Sequence, residues 1–167
     1  MKIGIGSDHA AFAMKEEIKA YLEEEGYELT DYGTYSAARC DYPVYGEKVA
    51  LAVRNGEVER GILLCGTGVG ISLAANKVRG IRAAVCSEPY TAAMARRHNN
   101  AQIVAFGARV VGIDTAKMIA DAFLEAEFEG GRHAERVALI EAVEERQQKE
   151  ETPFFRQESI SGGKTDV

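Results

Sequence analysis

Residues 61–79 read GILLCGTGVGISLAANKVR. The apolar run Ile62-Leu63-Leu64 ends at Cys65, glycines follow at Gly66, Gly68 and Gly70, and Ile71 to Lys77 has helix-forming composition. This predicts a buried strand, a glycine turn and a helix. Such a turn can aim several backbone N–H groups at one point, where the helix dipole adds positive potential. An anion belongs there, and the same field favours a thiolate at Cys65 on the strand tip. A base beside an oxyanion cradle can move a proton next to a carbonyl.

Around this stretch the chain alternates strand and helix. Strands are predicted at Lys2–Gly6, Tyr27–Tyr32, Arg60–Cys65, Arg82–Cys86 and Gln102–Phe106. Helices are predicted at Ala10–Glu25, Val44–Asn55, Val69–Val78, Glu88–Asn99, Asp114–Glu127 and Arg132–Lys149, with a loop over Gly33–Pro43. In the first helix Phe12, Ile18 and Leu22 recur at helical spacing, and Lys15, Glu16, Glu17 and Lys19 fall mostly on the other side. Five strands alternating with helices predict an α/β fold: a three-layer α/β/α sandwich on a five-stranded parallel sheet, Rossmann-like, with a C-terminal helix and tail. Ligands in such folds sit beyond the carboxyl ends of the strands. Asp8-His9, Cys65 with its glycine loop, Ser87-Glu88 and Gly107 to Arg109 all fall there.

The chain has 167 residues, 46% hydrophobic and 28% charged, enough for one domain with a proper core. The domain is expected over 1–149, with 150–167 as an extension. Pro153 ends the helix and Phe154-Phe155 is a lone apolar pair, so the extension either frays or anchors on a neighbouring subunit. No apolar run approaches the roughly 20 residues of a membrane span, and no signal-peptide segment opens the chain. Three cysteines without a secretory signal suggest reduced thiols in the cytoplasm. The net charge of −6 argues against a nucleic-acid surface.

Each candidate residue has a plain alternative. The glycine loop departs from the dinucleotide fingerprint, because Ile71 stands where its third glycine belongs and the loop follows the third strand. Glu88 could still imitate a ribose-binding acid, so spacing alone leaves NAD open. A P-loop is excluded, because no Gly-Lys-Ser/Thr follows. Cys65 at a strand tip is either a small hydrophobe or a reactive thiol; the glycine turn and Thr67 favour the second. Cys86 reads as core. His98-Asn99 is either a helix cap or a general acid with its neighbour, and the sequence leaves both open. No histidine pair has metal-site spacing, so no metal is expected. Arg132 and Arg136 share a face at a helix start, where cations oppose the dipole. A phosphate would turn that conflict into a fit, with Arg109 as a third cation. The alternative is a surface paired with Glu129 and Glu135. Asp8-His9 and Asp41-Tyr42 can cap turns or bond sugar hydroxyls.

Taken together, GSDHAAF at 6–12, DYP at 41–43, CGTGVGISLAANKVRGIRAAVCSEPY at 65–90, RHNNA at 97–101, FGARVVG at 106–112 and EGGRHAERV at 129–137 closely resemble the ribose-5-phosphate isomerase B family. That family shares its fold with the galactose-6-phosphate isomerase subunits. The resemblance runs from Met1 to about Lys149. It implies a cofactor-free aldose–ketose isomerase of ribose 5-phosphate and ribulose 5-phosphate, a homodimer or dimer of dimers with interface sites. By position it makes Cys65 the base that takes the C2 proton and returns it to C1. Thr67 and the five N–H groups of Gly66, Thr67, Gly68, Val69 and Gly70 would stabilise the cis-enediolate. His98 would open the furanose ring with Asp8 assisting, Asn99 and Tyr42 would contact the sugar, and His9, Arg109, Arg132 and Arg136 would hold the phosphate, some from the partner chain. Related enzymes can place a Glu base in this loop region; here Cys65 is present and the loop reads Gly-Val-Gly-Ile-Ser. A six-carbon sugar phosphate, such as allose or galactose 6-phosphate, is the rival substrate, and a non-catalytic sugar-phosphate sensor the rival class.

Overall fold

In the computed structural model, residues 1–150 are described, and the extension with Phe154 and Phe155 lies outside them. The strands are Lys2–Ser7 (β1), Glu28–Asp31 (β2), Arg60–Cys65 (β3), Ala83–Val85 (β4) and Ile103–Gly107 (β5). They form one parallel sheet in the order β2-β1-β3-β5-β4. The central strands carry continuous aliphatic runs because both of their faces are covered. Ile62 and Leu64 of β3, with Val104 and Phe106 of β5, pack on one face; Leu63, Cys65, Ile103 and Ala105 pack on the other.

The helices are Phe12–Glu24 (α1), Tyr42–Arg54 (α2), Val69–Ala75 (α3), Pro89–Asn99 (α4), Ile113–Glu125 (α5) and Arg132–Glu150 (α6). Residues of α1, α4 and α5 cover the first face, and those of α2 and α3 the second. This is the expected three-layer sandwich. Helix α6 packs on α4 and reaches the segment before β4, where Arg82 pairs with Glu141 and the Gly80 N–H donates to Glu144.

Several boundaries differ from expectation, each for a local reason. Asp8 caps a 3₁₀ turn over His9–Ala11 by accepting the Ala10 and Ala11 N–H groups, so α1 starts only at Phe12. Tyr42 and Pro43 belong to the first turn of α2 rather than to the loop, a position where proline's missing N–H is harmless. Helix α3 stops at Ala75, because the Asn76 amide turns to bridge the Ala83 N–H and C=O. Strand β4 is shorter than expected, since the Gln102 side chain takes the Arg82 N–H. Lys15 is on the buried face of α1, not the wet one, with its ammonium held by Asp31 and Glu16.

Candidate active site

Cys65 ends β3 with 4% of its surface exposed, and the Gly68 N–H donates to its Sγ at 3.1 Å. A hydrogen bond to sulfur is stronger when the sulfur carries charge. The turn is pressed onto β5: a Cβ at Gly68 would lie 2.8 Å from the Phe106 backbone, and one at Gly107 would lie 2.6 Å from that of Thr67. Gly68 also has φ +79°, which a side chain disfavours. The Thr67 hydroxyl accepts the Val69 N–H at 3.3 Å. Two of the five expected cradle amides, those of Gly68 and Val69, are thus engaged within the loop. No described hydrogen bond uses the N–H groups of Thr67 or Gly70.

Four other expected residues join this cluster. Asp8 lies beside the tip of β3, its N–H donating to Leu64 C=O at 3.2 Å. Its Oδ1 caps the following turn, so the cap and the sugar-binding readings of Asp8 are compatible. His9 Nδ1 is 3.2 Å from the Cys40 N–H, which ties it to the loop before α2. The Tyr42 ring lies over Gly70, where a Cβ would meet its Cζ at 2.6 Å. The exposed Arg109 lays its guanidinium along Gly66, and its N–H donates to Gly66 C=O at 3.0 Å.

His98, Asn99, Arg132 and Arg136 are elsewhere. Helix α4 runs back from the carboxyl end of β4 to the start of β5, so His98 and Asn99 sit at the amino edge of the sheet. Asn99 C=O accepts Arg82 Nε there. The length of β5 separates them from Cys65, roughly 13 Å at the usual strand rise. The C-terminal cap of α4 is Asn100, at φ 47°, rather than Asn99. At this edge the His98 and His133 rings stack with centroids 4.2 Å apart and planes within 1°. Glu129 Oε2 is 3.7 Å from His98 Nε2 and 3.6 Å from His133 Nε2, and Arg97 Nε donates to Glu129 Oε1 at 2.7 Å. Arg97 and both histidines hold the Glu129 carboxyl below the ordinary range. Burial, with His98 and Arg132 beside it, pushes the His133 imidazolium below the ordinary histidine range, against the pull of Glu129. Arg132 and Arg136 are exposed, and among the described residues neither forms an ion pair.

Sequence reasoning missed Glu129 and His133. The available signal was their i, i+4 spacing on either side of Gly130-Gly131. Their ligand atoms and those of His98 lie within 4.8 Å of one another. Parallel rings point their lone pairs side by side, however, and a metal about 2 Å from both nitrogens requires them to unstack. The arrangement is a histidine pair with a counter-ion, not a preformed metal centre. Glu88 caps α4 by accepting the Thr91 N–H at 2.8 Å, which occupies the carboxylate that an NAD ribose would need. Cys86 is buried, and its thiol is pushed up to about 11 by burial and by Glu88, as suits a core residue.

Comparison with known proteins points one way. The family model described as Ribose/Galactose Isomerase matches residues 3–140. Ribose-5-phosphate isomerase B of Escherichia coli (strain K12) is 59% identical over 145 residues, covering 87% of this chain and 97% of that protein. D-erythrulose-4-phosphate isomerase of Pectobacterium atrosepticum is 48% identical over 141 residues, covering 84% and 93%. The solved structure of Clostridium thermocellum ribose-5-phosphate isomerase B superposes with a TM-score of 0.87 at 56% identity, covering 88% of this chain and 99% of that one.

Proposed function

The chain belongs to the ribose-5-phosphate isomerase B family of ribose/galactose isomerases, and we propose that it interconverts D-ribose 5-phosphate and D-ribulose 5-phosphate without a cofactor. It is an aldose–ketose isomerase, and the finer reading concerns its substrate and the roles of its residues. The observation that carries this reading is the Cys65 sulfur under the Gly68 N–H, beside Asp8 and next to unused loop amides. The proton alpha to a sugar carbonyl is a weak acid, and N–H donors aimed at the developing oxyanion lower the barrier to its removal.

His98 gives a proton to the furanose ring oxygen, the bond from that oxygen to C1 breaks, and the C1 hydroxyl proton passes to Asp8. The Cys65 thiolate then takes the C2 proton, and the electron pair moves through the C1–C2 bond to the C1 oxygen. Thr67 and the free N–H groups of the turn hold the enediolate. The C2 hydroxyl proton then moves to the C1 oxygen, C2=O forms, and C1 takes the proton back from sulfur, giving the ketose; Asp8 and His98 recover their starting protonation through solvent. Tyr42 and Asn99 contact the hydroxyls. His9, Arg109, Arg132 and Arg136 take the phosphate, whose binding energy positions the reacting carbons.

Since His98, Asn99, Arg132 and Arg136 lie a strand's length from Cys65, one chain does not complete this site. A second copy, presenting its amino edge to the carboxyl edge of the first, does. The functional unit is therefore a homodimer, alone or paired into a dimer of dimers.

Purified protein is expected to isomerise ribose 5-phosphate, and Cys65→Ala to reduce kcat at least 100-fold, since it removes the base. Retained turnover in that variant eliminates Cys65 from the role. One relative bears the name of a four-carbon sugar-phosphate isomerase, so kcat/KM is to be compared over four-, five- and six-carbon sugar phosphates. A higher value for a six-carbon substrate would replace the ribose assignment. Binding without deuterium exchange at C2 would make the protein a sensor instead.

A further inference from the structure

Glu129 and His133 have no part in the steps above, yet they surround a residue that does. His98 is 36% exposed at the end of a helix, where an imidazole has several rotamers open to it. His133 is 8% exposed and lies flat against it. Glu129 is fixed from two sides: Arg97 holds its side chain, and its own N–H donates to Arg97 C=O at 3.0 Å. A single carboxylate oxygen then faces Nε2 of both rings. The rings are parallel to within 1°, so one oxygen fixes the rotation of both about their common stacking axis.

We propose that Glu129 and His133 are positioning residues for His98: the walled-in ring is a shelf that sets the plane of the outer imidazole, and the clamped carboxylate sets its rotation and balances its charge when protonated. The proposal rests on the ring-opening role given to His98. A general acid acts only from a near-attack geometry, and a small misplacement of it lowers the rate steeply. The other charges that act on this cluster are cationic: Arg97 on Glu129, and Arg132 and Arg136 on His133. Glu129 is accordingly the group that keeps an imidazolium acceptable among them.

Enolisation and ring chemistry can be read separately. With D-ribulose 5-phosphate in D₂O, hydrogen exchange at C1 needs only the Cys65 chemistry, whereas the appearance of furanose product also needs His98. His133→Ala and Glu129→Gln are expected to slow furanose formation on the enzyme about 10-fold or more and to leave C1 exchange within about 2-fold of wild type. His133→Phe restores a flat ring and should recover most of the His133→Ala loss. His133→Ala placed on His98→Asn should add no further loss. The proposal is overturned if exchange falls in step with product formation, if His133→Ala changes neither rate, or if the double variant loses the product of the two single losses. Failure of the underlying reading looks different: furanose formation unaffected in His98→Asn, or exchange surviving in Cys65→Ala.

Discussion

Lys15 shows how a single residue can contradict its own charge. It has no exposed side-chain surface, and it sits in α1 with Ile18 and Leu22, its ammonium against Asp31 and Glu16. The charge pattern of the helix put it on the wet side, because the partner that makes burial tolerable is on β2 and cannot be seen within the helix. Removing one member of a buried pair strands the other. Asp31→Ala is therefore expected to lower stability by about 3 kcal/mol, and Lys15→Met, which leaves Asp31 with Lys19 and the Gly33 N–H, by about 1 kcal/mol. Burial raises the Asp31 carboxyl, but its bonds to Lys15 and Gly33 outweigh that and hold it below the ordinary range. A depressed carboxyl contributes stability above its unfolded pKa and loses it as pH falls through the folded value. The gap between wild type and Asp31→Ala should thus be full at neutral pH and begin to narrow once pH falls below about 3.8, closing as it passes through the lower folded value. Urea titrations at pH 7 and pH 3 test both points; equal gaps at the two pH values would show that the pair is not the source. The site residues divide by the same logic. Cys65, Asp8 and Arg109 were legible because strand order alone puts them at one edge, whereas Glu129 and His133 acquire meaning only once α6 folds against α4.

Elements were easier to read than their ends. The aliphatic strands and the glycine loop fixed every strand and helix in number and order, because a parallel sheet covered on both faces leaves little choice of pattern. The ends depend on side chains from distant elements. Helix α5 extends to Glu125 rather than Glu127, and the guanidinium of the buried Arg60, on β3, takes Phe123 C=O at 3.0 Å and also binds Leu124 C=O and Glu127. Arg60 is in effect the C-terminal cap of a helix more than sixty residues away, and no local pattern announces it. Arg60→Met keeps the buried stem but leaves two carbonyls without their donor, a loss of about 2–3 kcal/mol. Amide exchange in the last turn of α5 should accelerate well beyond that of α2, which Arg60 does not cap. Uniform acceleration across both helices would mean that the substitution acts on global stability and not on this end.

At the scale of the whole molecule, the chain places two clusters of candidate residues at opposite edges of one sheet. Cys65 and its loop are at the carboxyl edge; the histidine pair is at the amino edge with Arg132 and Arg136, neither of which forms an ion pair among the described residues. The motifs could be recognised one by one in the sequence, but strand direction separates them, and only the folded chain shows that separation. In the proposed dimer a twofold-symmetric pair would reunite them, each site drawing Cys65 from one copy and His98 from the other. This arrangement makes a prediction that no site within a single chain shares. Cys65→Ala and His98→Asn proteins, each nearly inactive alone, are unfolded together and refolded as a mixture. In a mixed dimer one site carries both substitutions and the other carries neither. With random pairing, half the dimers are mixed and each has one intact site, so activity should return to about a quarter of wild type. If each site were built within one chain, every chain would remain defective and mixing would restore nothing. Tagging the two variants differently and assaying the doubly tagged fraction isolates the mixed species. An inactive doubly tagged dimer would show that the two edges do not meet across subunits.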